Sequence, residues 1–120
     1  MRPWGGIMKE IKAIIQSFMA EKVLDALHQI PNAPGVTVSE VRGYGKHPST
    51  GLAARESEGD VFGEKKIKLE LVVPDHLVEQ VAQTIARSAH TGHPGDGKIF
   101  IYKVDDVVKI RTGERGERAI

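Results

Sequence analysis

Cysteine is absent from the 120 residues, which removes disulfides, thiol nucleophiles and cysteine-ligated zinc from the available chemistry. Aromatic residues are scarce, at 5%, too few for a surface that stacks bases. Neither sign of charge is in excess: 17 lysines and arginines stand against 16 aspartates and glutamates, for a formal net charge of +1. No global field therefore recruits nucleic acid or an anionic membrane. No apolar run reaches the length that spans a bilayer, and the opening Met1-Arg2-Pro3-Trp4-Gly5-Gly6 lacks the apolar centre of a signal peptide. The expectation is a cytoplasmic protein with no nucleic-acid partner and no direct membrane insertion.

What is present describes an ordinary globular domain. Hydrophobic content is 40% and charged content 28%, and this length suits a single core. The fold is expected to start at Met8, with residues 1–7 as an extension, a domain over 8–112 and a polar, mobile tail over 113–120. From Lys9 the alternation of Ile11, Ala13 and Ile15 with Glu10 and Lys12 predicts a strand with one buried face. The period then lengthens. Val23, Ala26, Leu27 and Ile30 share one stripe of a helix over 20–30, closed by Pro31. A turn at Asn32-Ala33-Pro34-Gly35 leads to a β-branched strand over 36–43.

Alternation returns over 66–73, with Ile67, Leu69, Leu71 and Val73 inward and Lys66, Lys68 and Glu70 outward. Pro74-Asp75 opens a second helix with the stripe Leu77, Val78, Val81, Ile85, and Asp75 is placed to cap it. A fourth strand covers 99–102. The order strand, helix, strand, long loop, strand, helix, strand predicts an α+β fold of ferredoxin-like βαββαβ type: an antiparallel sheet with both helices on one face. Lys12, Glu40, Arg42, Lys68 and Glu70 are assigned to the open face, and such a face commonly finds a partner copy.

Two stretches interrupt this regular pattern. Residues 46–65 show almost no periodicity and contain the charge run Arg55-Glu56-Ser57-Glu58, and so long an insertion in a small domain is usually functional or disordered. The second stretch is Thr91-Gly92-His93-Pro94-Gly95-Asp96-Gly97-Lys98-Ile99-Phe100. Glycines at this density let N–H groups converge on an anion, and Lys98 adds a full charge. Gly92-x-x-x-x-Gly97-Lys98 nearly spells a P-loop. Ile99 stands where that motif needs a hydroxyl for magnesium, however, and the following residues alternate like a strand. A phosphate-cradling loop of another kind and a plain glycine-rich bend both remain open on the residues alone. His90 and His93 have the spacing of a metal pair but lack an obvious third ligand.

Five separated segments then agree in order and spacing with one family. They are Met8-Lys9-Glu10-Ile11-Lys12-Ala13-Ile14-Ile15, Thr37-Val38-Ser39-Glu40-Val41-Arg42-Gly43-Tyr44-Gly45, Leu71-Val72-Val73-Pro74-Asp75, the glycine stretch, and Ile110-Arg111-Thr112-Gly113-Glu114. Together they resemble the PII signal-transduction proteins, and the likeness runs from Met8 to Ile120 except in the long loop. The resemblance implies a homotrimer that binds ATP or ADP, with AMP a further candidate, in clefts between subunits. It also implies a small anionic effector and a target enzyme or membrane transporter contacted through residues 46–65, with no catalytic residues of its own. Carried over residue by residue, the nucleotide contacts would be Thr37, Gly43, Gly45, Lys46, Glu70, Gly95, Asp96, Gly97 and Lys98. Lys109 and Arg111 would reach in from a neighbouring subunit, both facing the polyphosphate if their segment is extended.

The effector would meet His47, Lys66 and Gly95. Here the chain departs from the family. His47 replaces the glutamine that helps hold magnesium and 2-oxoglutarate, Lys46 and Lys109 replace arginines, and Ala54 and Gly59 occupy the two tyrosine positions of the loop, which argues against uridylylation. Ser57 is a weaker candidate for modification. Magnesium is a candidate companion of the nucleotide. Bicarbonate with ADP or AMP, as in carbon-associated PII-like proteins, is kept beside 2-oxoglutarate. A structural or metal-binding trimer without nucleotide control is the alternative from another class.

Overall fold

The structure is a computed structural model and describes residues 7–45 and 63–120. Strand β1 (Met8–Gln16) and the short 3₁₀ turn Ser17–Met19 lead into helix α1 (Ala20–His28). Strands β2 (Thr37–Gly43) and β3 (Glu64–Pro74) follow, then helix α2 (Val78–Ala89) after a 3₁₀ turn, and strand β4 (Gly97–Val104). The sheet order is β2-β3-β1-β4, with every neighbouring pair antiparallel. This is the expected ferredoxin-like βαββαβ arrangement. Among the described residues, no helix is long and apolar enough to cross a membrane.

The core follows the two periods seen in the sequence. Ile11, Ala13 and Ile15 of β1 and Leu69, Leu71 and Val73 of β3 point to the same side. There they meet Val23, Leu27 and Ile30 from the first helical segment and Val78, Val81 and Ile85 from α2 in one buried cluster. Each of the valine, leucine and isoleucine side chains stabilises the fold by about 1.5–3 kcal/mol relative to its exposed state. Gly97 is required where β4 joins β1. Its φ is +105°, and a Cβ added there would lie 1.8 Å from the Ile14 carbonyl oxygen, so only glycine lets the strands pair at this point.

Four expectations are corrected by the structure. Glu40 and Arg42 do not share the open face with Lys12, Lys68 and Glu70. Thr37 pairs with Glu70 and Ser39 with Lys68, whereas Glu40 pairs with Ile67, so the alternation turns Glu40 and Arg42 to the helix side. Asp75 does not cap α2: the turn before the helix has Pro74 at its N-cap, and the Asp75 carboxylate pairs with Lys9 of β1. Asp75 lies inside that 3₁₀ turn, and the position before α2 is Leu77, which has no capping side chain.

The third correction concerns residues 109–111, which form a turn and not an extended segment, closed by Gly113 N–H to the Lys109 carbonyl at 2.7 Å. Fourth, the polar tail expected to be mobile is held in place. Val108 bridges to Arg115, residues Gly116–Ala119 form a 3₁₀ turn, and Ala119 is buried.

Candidate functional site

The glycine loop, residues 91–97, is built around one carboxylate. Asp96 Oδ2 accepts the N–H groups of Thr91 at 2.8 Å and Gly92 at 3.1 Å. Its Oδ1 accepts the Gln16 side-chain amide at 2.9 Å and the Thr91 hydroxyl. The Thr91 oxygen in turn accepts the His93 N–H at 3.1 Å. The hydrogen bond from the Thr91 hydroxyl, then that from the Thr91 amide, holds the Asp96 carboxyl down at about 2. A carboxylate committed to four donors shapes the loop and does not itself contact an anion. Gly92, Gly95 and Gly97 all have positive φ, which is why this bend is written in glycine.

Lys66 ties the loop to the sheet. It is 7% exposed, its ammonium donates to the Gly95 carbonyl at 2.9 Å and lies 3.8 Å from Glu64 Oε2. Gly43 of the neighbouring β2 leaves room for it, since a Cβ there would sit 3.3 Å from Lys66 Cγ. Lys98 pairs with Ile14 and Lys66 with Gln16, so both lysines project from the open face of the sheet. A cleft of about 230 Å³ beside the loop is lined by Ile15, Ile85, Ala89, His90, Asp96 and Lys98, among others.

The C-terminal loop, residues 107–116, is organised by a second aspartate. Asp106 Oδ1 accepts the N–H groups of Val107 at 2.8 Å and Gly116 at 3.1 Å, and Oδ2 accepts Arg115 Nε at 2.8 Å. Burial pushes the Asp106 carboxyl up, but the hydrogen bonds from Arg115 and from Val107 outweigh it and leave the group below its ordinary value. Lys109 N–H donates to the Glu114 carbonyl at 2.9 Å. The result is a rigid turn that exposes Arg111 and, at its tip, Ile110, which is 99% exposed.

The candidate residues thus fall into two groups. Gly43, Lys66, Gly95, Asp96, Gly97 and Lys98 cluster at one end of the sheet. Thr37 lies at the other end of β2 from Gly43, about 20 Å away by strand rise, and pairs with Glu70. The loop carrying Lys109 and Arg111 leaves β4 at Val104, which is opposite Met8, whereas Gly97 is opposite Ile15. The Lys109 and Arg111 loop is therefore reached from the end of the sheet opposite Gly97, and Thr37 and Glu70 stand between, level with Lys12. The larger cleft, about 640 Å³ between the end of α1 and Val38, touches none of these residues.

Gly45 is exposed beyond the end of β2. Lys46, His47, Ala54, Ser57, Gly59 and the charge run from Arg55 lie outside the described residues. His90 and His93 are both exposed, and no group of three or more metal-binding side chains forms among the described residues. Sequence reasoning did not single out Gln16, Glu64, Asp106 or Arg115. The alternation of β1 and β3 could have placed Gln16 beside Lys66, since the open face of a strand takes every second residue. Nothing in the chain's local pattern marks Asp106 and Arg115 as partners.

Residues 8–114 match the family model described as Nitrogen regulatory protein P-II. The chain is 44% identical over 113 residues to Nitrogen regulatory protein P-II of Rhodospirillum rubrum, covering 94% of this chain and 100% of the relative. It is 43% identical, with the same coverage, to Nitrogen regulatory protein P-II 1 of Escherichia coli strain K12. Among solved structures, Arabidopsis thaliana PII bound to citrate superposes with a TM-score of 0.76 at 39% identity, covering 96% of this chain and 94% of that one. A Bacillus subtilis GlnK complex with ATP gives 0.75 at 32% identity, covering 95% and 98%.

Proposed function

Because the chain belongs to the Nitrogen regulatory protein P-II family, we propose that it is a non-enzymatic, cytoplasmic signalling regulator that works as a homotrimer. An adenine nucleotide binds between protomers, a small anion binds beside it, and the joint occupancy sets the state of the long loop that precedes β3. That loop then engages a target enzyme or transporter in nitrogen or carbon metabolism. The observation that carries this reading is that the Lys109 and Arg111 loop leaves the sheet at the end opposite Gly97. A polyphosphate met by Lys98 and the amides of Gly95, Asp96 and Gly97 from one protomer can meet Lys109 and Arg111 only if a second protomer lends its C-terminal loop. The ATP complex of the Bacillus subtilis relative and the citrate complex of the plant relative support a nucleotide and a small anion as the ligand classes.

In this reading Asp96 acts through its backbone, with its carboxylate holding the loop. Gly43, Gly45 and Lys46 flank the nucleotide, Thr37 and Glu70 lie nearby, and magnesium is its candidate companion. His47, Lys66 and Gly95 face the anion. Mechanistically, the phosphates and the anion favour one arrangement of the loop because their charges interact unequally with its alternatives, and the partner reads that arrangement.

Calorimetric titration with ATP, ADP and AMP, each with and without 2-oxoglutarate or bicarbonate, tests the reading. The expected result is nucleotide binding that weakens by roughly tenfold in Lys98→Ala, in a protein whose sedimentation mass is that of three chains. A monomer, or a chain indifferent to all three nucleotides, would end it.

A further inference from the structure

The environment of Lys66 bears on which anion the site accepts. An ammonium this buried usually has a counter-charge, and here the chain supplies it. Glu64 and Lys66 are alternate residues of β3, so both side chains leave the same face of the sheet, and Glu64 Oε2 lies 3.8 Å from the ammonium. That carboxylate oxygen is buried and accepts no hydrogen bond among the described residues. Among the described residues it is therefore held beside Lys66 by charge and by the register of the strand. The remaining contact of the ammonium, to the Gly95 carbonyl at 2.9 Å, adds no charge.

We propose that Glu64 is a built-in counter-ion that sets the anion site against dicarboxylates and toward small singly charged anions. The inference rests on the assignment of Lys66 to the anion site under the proposed function. A ligand carboxylate approaching Lys66 meets a pair with no net charge, and it must also sit close to Glu64. The repulsion from Glu64 scales with the ligand's charge, so a dianion loses about twice the free energy that a monoanion does. Discrimination of this kind comes from a repulsive element in the site and not from a better fit to the favoured ligand.

The test titrates the full chain and the variants Glu64→Gln, Glu64→Leu and Lys66→Ala with 2-oxoglutarate and with bicarbonate, both with saturating ATP and without nucleotide. Neutralising Glu64 is expected to tighten 2-oxoglutarate by roughly tenfold and bicarbonate by roughly threefold, the ratio that charges of two and one require. Combining Glu64→Gln with Lys66→Ala is expected to abolish the gain. Two neutral substitutions, one isosteric and one apolar, keep the result readable if either disturbs the strand, and circular dichroism checks each. Equal affinity for 2-oxoglutarate in the wild type and both variants would overturn the inference. So would an equal gain for the two anions, or no 2-oxoglutarate binding by any variant. A blank ATP titration would instead remove the nucleotide reading, while the comparison made without nucleotide would still decide the role of Glu64.

Discussion

The glycine loop and the C-terminal loop solve the same problem with different anchors. In each, one aspartate accepts two backbone N–H groups and a side-chain donor from its own loop, Thr91 or Arg115, and in each the carboxyl is held below its ordinary value. The difference lies in a further side-chain donor that reaches the first loop from outside it. Asp96 is fixed by Gln16 at the end of β1, a residue distant in sequence that belongs to the central strand. Asp106 is fixed by Arg115 of its own loop. The first loop is therefore part of the sheet and presents backbone; the second is a self-contained turn that presents side-chain cations. A sheet-anchored amide cradle and a separate cationic turn are the two halves that the proposed site between protomers would need.

Breaking the anchoring of the first loop at its strand end should have the largest effect. Gly97→Ala forces a Cβ against the Ile14 carbonyl at an unfavourable φ, and the expected cost is roughly 3 kcal/mol of stability, read from urea denaturation. Asp96→Asn keeps the size but turns an amide NH₂ toward loop donors. Its expected result is a roughly tenfold loss of ATP affinity with the cooperative unfolding transition retained, read by calorimetry. Asp106→Asn should cost less, about threefold in ATP affinity, because the turn closed by Gly113 and the Lys109 to Glu114 bond remains. If Asp106→Asn weakened ATP binding more than Asp96→Asn, the ranking of the two loops would be reversed.

The smallest effect sharpens the comparison through pH. A carboxyl whose folded value is depressed contributes stability that is complete above its ordinary value and lost as pH falls through the folded one. For Asp96 that window runs from 3.8 down to about 2. Loop order should thus be constant from neutral pH to about 4 and fail below it, which the amide resonances of Thr91 and Gly92 would report. Loss of hydrogen-exchange protection at these two amides between pH 5 and 7 would contradict the four-donor arrangement around Asp96.

Much of the fold was legible before any coordinates. The period of two in β1 and β3 and the stripes of α1 and α2 named most of the core, Ala26 being the exception that belongs neither to the buried cluster nor to the residues packed against it, because burial on one face imposes a period that the local sequence must carry. Element ends were less legible. The first helix stops at His28, two residues before the end that its apolar stripe suggests, because Gln29 and Ile30 continue in tighter turn bonds to Ala26 and Leu27. Glu40 and Arg42 were misassigned because β2 lies at the sheet edge and carries no buried alternation to reveal its parity. On the sequence alone the glycines at 92, 95 and 97 signify room for a phosphate. Their conformations supply an additional reason for each: positive φ, and for Gly97 a strand contact that excludes any side chain.

By itself the sequence determined the element order, the identity of the inner face and the positions of the glycine-rich bend and the late cationic segment. Those depend on local periods and on residues that restrict the backbone over a few positions. Tertiary structure alone decided that Gln16 meets Asp96, that Glu64 accompanies Lys66, that Arg115 closes on Asp106, and that the Lys109 and Arg111 loop leaves the sheet at the end opposite Gly97. Each of these is set by strand register or loop closure, and pairings between distant residues leave no periodic trace in the chain that makes them.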